Sequence, residues 1–144
     1  MTIAAILKIK GRNVVHVDPT ASIADVAAVL SGQKIGAVLV LDRAGSLQGI
    51  LSERDIVHGI AANGARALEM TAAQLMTQNI TTATPATRVD QVMAMMTTGR
   101  FRHLPVVDNG VLVGIISIGD VVKRRIEDQG HEVDSLKAYV AGAA

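Results

Sequence analysis

An internal duplication constrains this chain more than any other feature, because a repeated unit dictates a repeated fold. Val15-His16-Val17-Asp18-Pro19 lines up with Thr81-Thr82-Ala83-Thr84-Pro85, the prolines 66 residues apart. At the same spacing Ile23 meets Val89, Val26 meets Val92 and Leu30 meets Met96. The run Ala37-Val38-Leu39-Val40-Leu41-Asp42 then meets His103-Leu104-Pro105-Val106-Val107-Asp108. One residue is lost where Arg43-Ala44-Gly45-Ser46 faces Asn109-Gly110-Val111. Beyond it Gly49-Ile50-Leu51-Ser52-Glu53-Arg54-Asp55 matches Gly114-Ile115-Ile116-Ser117-Ile118-Gly119-Asp120 at a spacing of 65. A turn is where a chain tolerates such a slip.

Each repeat reads β-α-β-β-α, which makes the chain a mixed α/β (α+β) protein. A short strand ends at the proline, which cannot donate to a ladder. A helix follows over about Ser22–Leu30 and Arg88–Thr97, its apolar residues at helical spacing. Two β-branched strands come next, Ala37–Leu41 with Leu47–Leu51, and Leu104–Val107 with Val111–Ile116. A second helix opens at Ser52 or Ser117. Each sheet is expected to have three strands. A half of roughly 60 residues buries too little surface to stand alone, so the repeats should pack together with pseudo-twofold symmetry. The expected units are residues 1–64, the first repeat with its N-terminal segment; 65–128, the second with its connecting helix; and 129–144, a C-terminal helical extension. In that extension Ile126, Val133, Leu136 and Val140 fall near heptad spacing, interrupted by Gly130.

Composition removes several function classes. Apolar residues make up 49% of the 144 residues and charged ones 19%, which argues for a dense core against disorder. A membrane span needs roughly 20 consecutive apolar residues; the longest run here is Ile35 to Leu41, closed by Asp42. The N-terminus does not read as a signal peptide. A net charge of +1 gives no field for a phosphate backbone, and Phe101 and Tyr139 are the only aromatics; no sequence-specific nucleic-acid binding is expected. The chain has no cysteine, which excludes disulfides and thiolate chemistry and fits a reducing, cytoplasmic setting. The histidines His16, His58, His103 and His131 form no metal-ligand pattern, so no metal is expected.

Chemistry concentrates at Ser52-Glu53-Arg54-Asp55 and Ser117-Ile118-Gly119-Asp120, each at a strand-to-helix joint. One reading is a capping box, although Asp is shorter than the Glu or Gln such a box favours. The other is an anion site: a helix N-terminus attracts phosphate, a serine adds a hydrogen bond, and an aspartate one turn on accepts from ribose hydroxyls. The second reading suggests a nucleotide.

The duplicated Gly-x-x-Ser-x-x-Asp motif, together with Arg102-His103-Leu104-Pro105-Val106-Val107-Asp108, resembles a tandem pair of cystathionine-β-synthase (CBS) domains, a Bateman module, over about Ile9 to Arg124. The resemblance implies two clefts between the repeats that bind adenosine-containing ligands: AMP, ADP, ATP, NAD(H) or S-adenosylmethionine. One cleft would use Ser52, Arg54 and Asp55 with Thr82, Phe101 and Arg102. The other would use Ser117 and Asp120 with His16, Ile35 and Gly36. Arg54 and Arg102 supply cations to the first; Gly119 and Gly36 stand at the equivalent positions of the second.

Other candidates have plainer readings. His103 is a half-buried strand-edge residue or a ligand contact. Lys123-Arg124-Arg125 is a solvated helix face, and Met93 and Met96 are core. Ser52 and Ser117 lack a matching base, so no catalytic residue is assigned and no enzymatic activity is expected. The leading function is a regulatory module that senses an adenine nucleotide and modulates an unnamed partner protein. The alternative is an interaction or scaffold protein with empty clefts. The resemblance also implies a homodimer through the helices that start near Ser52 and Ser117.

Overall fold

A computed structural model of the chain describes residues 1–127; the near-heptad positions Val133, Leu136 and Val140, and Gly130, lie outside them. The elements run α1 (Ile3–Lys10), β1 (His16–Val17), α2 (Ile23–Gln33), β2 (Ala37–Leu41), β3 (Leu47–Ser52) and α3 (Glu53–Asn63). A 3-10 turn over Gly64–Glu69 leads to α4 (Ala72–Leu75), α5 (Val89–Gly99), β4 (His103–Asp108) and β5 (Val111–Ser117). A last helix, α6, starts at residue 118 and is described to residue 127.

The duplication is visible bond by bond. In the first repeat the Glu53 N–H donates to the Gly36 carbonyl at 3.0 Å; in the second, Ile118 donates to Arg102 at 2.7 Å. The β2–β3 and β4–β5 hairpins shift register at matching places, Val40/Leu41 and Val106/Val107. Helices α2 and α5 both end on a left-handed cation, Lys34 (φ 55) and Arg100 (φ 56). The one-residue slip lies in the hairpin turns: Asn109-Gly110, both at positive φ, close β4–β5 in the two-residue form that Asn-Gly favours.

The expected third strand of the second sheet is not built. The first sheet has the order β1-β2-β3, whereas β4 and β5 form a two-stranded sheet. Thr81–Pro85 contributes only a parallel bridge between Ala83 and Val106. The reason is Pro105. Its counterpart Leu39 donates its N–H to the Val15 carbonyl at 3.2 Å, and proline has no such donor.

Two apolar cores sit in the two repeats, and each takes a helix from a distant part of the sequence. The first gathers Ile23, Val26, Val38, Val40 and Leu51 with Ala72 and, more peripherally, Leu75 and Met76 from the connector. The second gathers Val92, Met96, Leu104, Val106 and Ile116 with Ile3, Ile6 and Leu7 of α1. Helix α1 therefore packs with the second repeat, not with the repeat it precedes, which differs from the grouping of residues 1–64. The anchoring is symmetric. Val89 donates to the Met1 carbonyl (3.1 Å), Ile3 to Thr87 (2.8 Å) and Ala4 to Pro85 (2.9 Å). In the other half Ile23 donates to Met70 (2.8 Å), Ala72 to Ala21 (2.8 Å) and Ala73 to Pro19 (3.0 Å). Met1-Thr2-Ile3-Ala4 is thus the counterpart of Met70-Thr71-Ala72-Ala73. Each crossing segment also explains a motif glycine. A Cβ at Gly49 would lie 2.5 Å from Met76 Sδ, and one at Gly114 would lie 2.7 Å from Leu7 Cδ2.

Candidate functional site

The strand β3 hands over to α3 at Ser52, whose extended backbone (φ -105, ψ 166) makes it the N-cap. Its Oγ accepts from the Asp55 N–H at 3.3 Å, while Asp55 Oδ2 accepts from the Ser52 N–H at 2.9 Å. The same pair of bonds joins Ser117 and Asp120, at 3.1 and 2.9 Å. Aspartate is thus long enough to close the box in both repeats, contrary to the expectation from its length. The box does not exclude a ligand role. A carboxylate offers about four acceptor directions, and among the described residues Asp55 Oδ1 is engaged only by the neutral Thr77 hydroxyl, at 3.2 Å.

A cleft of about 750 Å³ opens over the first motif, a size typical of small-molecule sites. Ser52, Arg54 and Asp55 of the first repeat line it together with Phe101 and Arg102 of the second. Five of the six residues expected in this cleft therefore meet. Thr82 does not line it; Ile80 and Thr81 do. The Ala83 bridge fixes the segment here, burying Ala83 and leaving Thr82 exposed. Arg54 spans the repeats, its Nη1 donating to the Arg100 carbonyl at 3.1 Å. Phe101 is half-buried and packs on the second core. Its ring fills the space above Gly99, where a Cβ would lie 2.2 Å from Cε1.

The second set of residues is arranged differently. Gly36 lines the first cleft, and with Ile35 it also lines a shallower groove between α2 and α3. His16 is exposed on β1, paired with Leu39. Ser117 and Asp120 line neither cavity. Asp120 Oδ2 instead receives the Lys10 ammonium at 2.6 Å, and that ammonium also donates to the Ile115 carbonyl at 2.8 Å. Burial raises the Asp120 carboxyl, but the bonds from Lys10 and Ser117 outweigh it and hold the group below the usual carboxylate value. His103 stands between the two motifs, against Gly36 and in the wall of the first cleft. Burial first, and then the Lys10 ammonium, push its imidazole below 6.5, while Asp120 and Glu53 pull the other way.

Lys10 and Thr77, which touch the two aspartates, escaped the sequence reading. The signal lay in a second, shorter match, Met1-Thr2 with Met70-Thr71, which places both segments at equivalent points of the fold. Among the described residues no cluster of His, Asp and Glu has the makings of a metal site, and no helix is long and apolar enough to cross a membrane.

The comparisons with known proteins agree with this architecture. The family model of the CBS domain matches residues 7–62 and again 72–127. A mitochondrial CBS domain-containing protein of Arabidopsis thaliana, CBSX3, is 30% identical, over 98% of this chain and 72% of its own length. The crystal structure of the CBS-domain protein ATU1752 from Agrobacterium tumefaciens superposes with a TM-score of 0.85 at 48% identity, covering 86% of this chain and 92% of that one. The CBS domain pair of protein MJ0100, solved with 5′-methylthioadenosine and S-adenosyl-L-methionine, gives a TM-score of 0.77 at 27% identity, covering 90% of this chain and 98% of that one.

Proposed function

The chain belongs to the CBS-domain family as a tandem pair, and from that premise we propose that it is a regulatory module that binds an adenosine-containing ligand in the cleft above Ser52 and signals occupancy to a partner protein. Proteins built on such pairs are regulatory, and the related MJ0100 pair holds two adenosine compounds. The observation that carries the reading is the convergence, in one cleft shared by both repeats, of Ser52 and Asp55 with Arg54, Arg102 and Phe101.

Each group has a part suited to it. The ribose hydroxyls donate to Asp55 Oδ1 as the Thr77 hydroxyl swings aside. Exchange of one neutral hydrogen bond for another changes the free energy by about 1 kcal/mol or less. Phosphate oxygens take the forked donors of Arg54 and Arg102, at the positive end of the α3 dipole. The Phe101 ring and Ile80 offer apolar surface to the base. Because both repeats wall the cleft, a ligand ties them together and alters the surface a partner meets.

Val57 and Ile60 on α3 and Val122 and Ile126 on α6 are 62%, 42%, 41% and 62% exposed. Apolar residues left outward on these two helices support a homodimer through them. The same row favours the second reading, an interaction protein with empty clefts. A thermal-shift panel of AMP, ADP, ATP, NAD(H) and S-adenosylmethionine separates the two, since a ligand bound only to the native state raises the melting temperature. A rise with at least one compound is expected; no rise at millimolar concentration favours the scaffold.

A further inference from the structure

The two motifs are alike in every bond of the capping box and differ in the third group that touches the aspartate. At the first motif the chain leaves α4 after Leu75, and Thr77 pairs with Ile50 as backbone: its N–H donates to the Ile50 carbonyl at 2.8 Å. Its hydroxyl then reaches Asp55. At the second motif the crossing helix is longer. Leu7 seats on Gly114 as Met76 seats on Gly49, but α1 continues to Lys10 and stops at Gly11 (φ 92). Among the described residues, no backbone pairs with Ile115 at the place corresponding to Thr77. The Lys10 ammonium does both jobs, taking the Ile115 carbonyl and the Asp120 carboxylate together.

We propose that Lys10 determines the stoichiometry of the pair: it holds the second motif in a latched state, so that the chain takes one adenosine ligand, at Asp55, and not two. The inference rests on the reading of the first cleft given above. A ribose approaching Asp55 displaces a neutral hydroxyl. One approaching Asp120 meets a carboxylate whose charge is already neutralised by the Lys10 ammonium on Oδ2, a bond roughly twice as strong as a neutral one. The second motif has no arginine at the matching positions to offset this loss, because Gly119 and Gly36 stand where the first cleft has Arg54 and Arg102. Lys10 and Asp120 side chains remain 31% and 24% exposed, so the latch can be lifted from the solvent side.

Isothermal titration with AMP and with 5′-methylthioadenosine, on the full chain, tests this. Wild type should bind one ligand per chain, and Lys10→Ala should bind two, with the new site within about tenfold of the first. Lys10→Met, which keeps the stem and loses the charge, guards against damage to α1 packing, and should gain the site at lower affinity. Lys8→Ala, an exposed neighbour on α1, should stay at one. Asp55→Ala with Lys10→Ala should bind one, at Asp120. Two ligands on wild type, or one on both Lys10 variants, overturns the latch while leaving the first cleft intact. A Lys10 variant that loses a site held by wild type makes Lys10 a ligand contact and also overturns it. No binding by any variant, either of these two ligands or of any compound in the thermal-shift panel, overturns both readings.

Discussion

Two ionisable side chains near the motifs, His103 and Asp120, each titrate in their own window. His103 has a folded value below 6.5 because of burial and Lys10. The unfolded chain therefore takes its proton first as the pH drops, and stability falls from about pH 6.5 down to the folded value and is level below it. Above 6.5 this contribution is flat. Asp120 is also depressed, so the stability it adds is complete above the unfolded value near 3.8 and is lost as the pH falls through the folded one. Urea unfolding between pH 7.5 and 5 should show a declining midpoint that His103→Gln flattens. An identical slope in the variant would mean that the imidazole is not held neutral. The sequence offered two readings of His103, a half-buried strand-edge residue or a ligand contact; the structure shows it half-buried at the start of β4, in the wall of the cleft. Its neighbours Lys10 and Glu53 could not be read from sequence, because one lies on α1 and the other at the start of α3.

At the scale of elements, what was legible followed local chemistry. The helical spacing of Ile23, Val26 and Leu30 gave α2, and the β-branched runs gave both hairpins. The strand at Thr81–Pro85 misled because its partner decides it: Pro105 withholds the donor that Leu39 supplies in the first repeat. Helix α1 stayed hidden for a similar reason, since its apolar face (Ile3, Ile6 and Leu7) has meaning only against Leu104, Val106 and Ile116. Its contribution can be measured. Leu7 is 1% exposed and lies against Gly114, and truncating a leucine so buried costs about 2–5 kcal/mol. Leu7→Ala should lower the stability of the whole pair by that amount in chemical denaturation. A loss under about 1 kcal/mol would show that α1 is a loose appendage.

The pair as a whole depends on exchange between its halves: α1 completes the second core, the connector completes the first, and the cleft draws its walls from both. The same organisation leaves the apolar row of α3 and α6 on the outside. Light scattering at micromolar concentration should report twice the 15.0 kDa chain mass, and a single-chain mass would remove the proposed dimer. Glu substitutions at Val57 and Ile126 together should convert a dimer to single chains without changing the fold. The most direct test of the central proposal is calorimetric titration of AMP and S-adenosylmethionine into wild type and Asp55→Ala. Loss of hydrogen bonds to a charged acceptor should weaken at least one of these ligands by about 1.5–3 kcal/mol, with circular dichroism unchanged. Equal affinity in the two proteins would contradict the assignment of the ribose to Asp55, and with it the cleft as the site where this module reads its ligand.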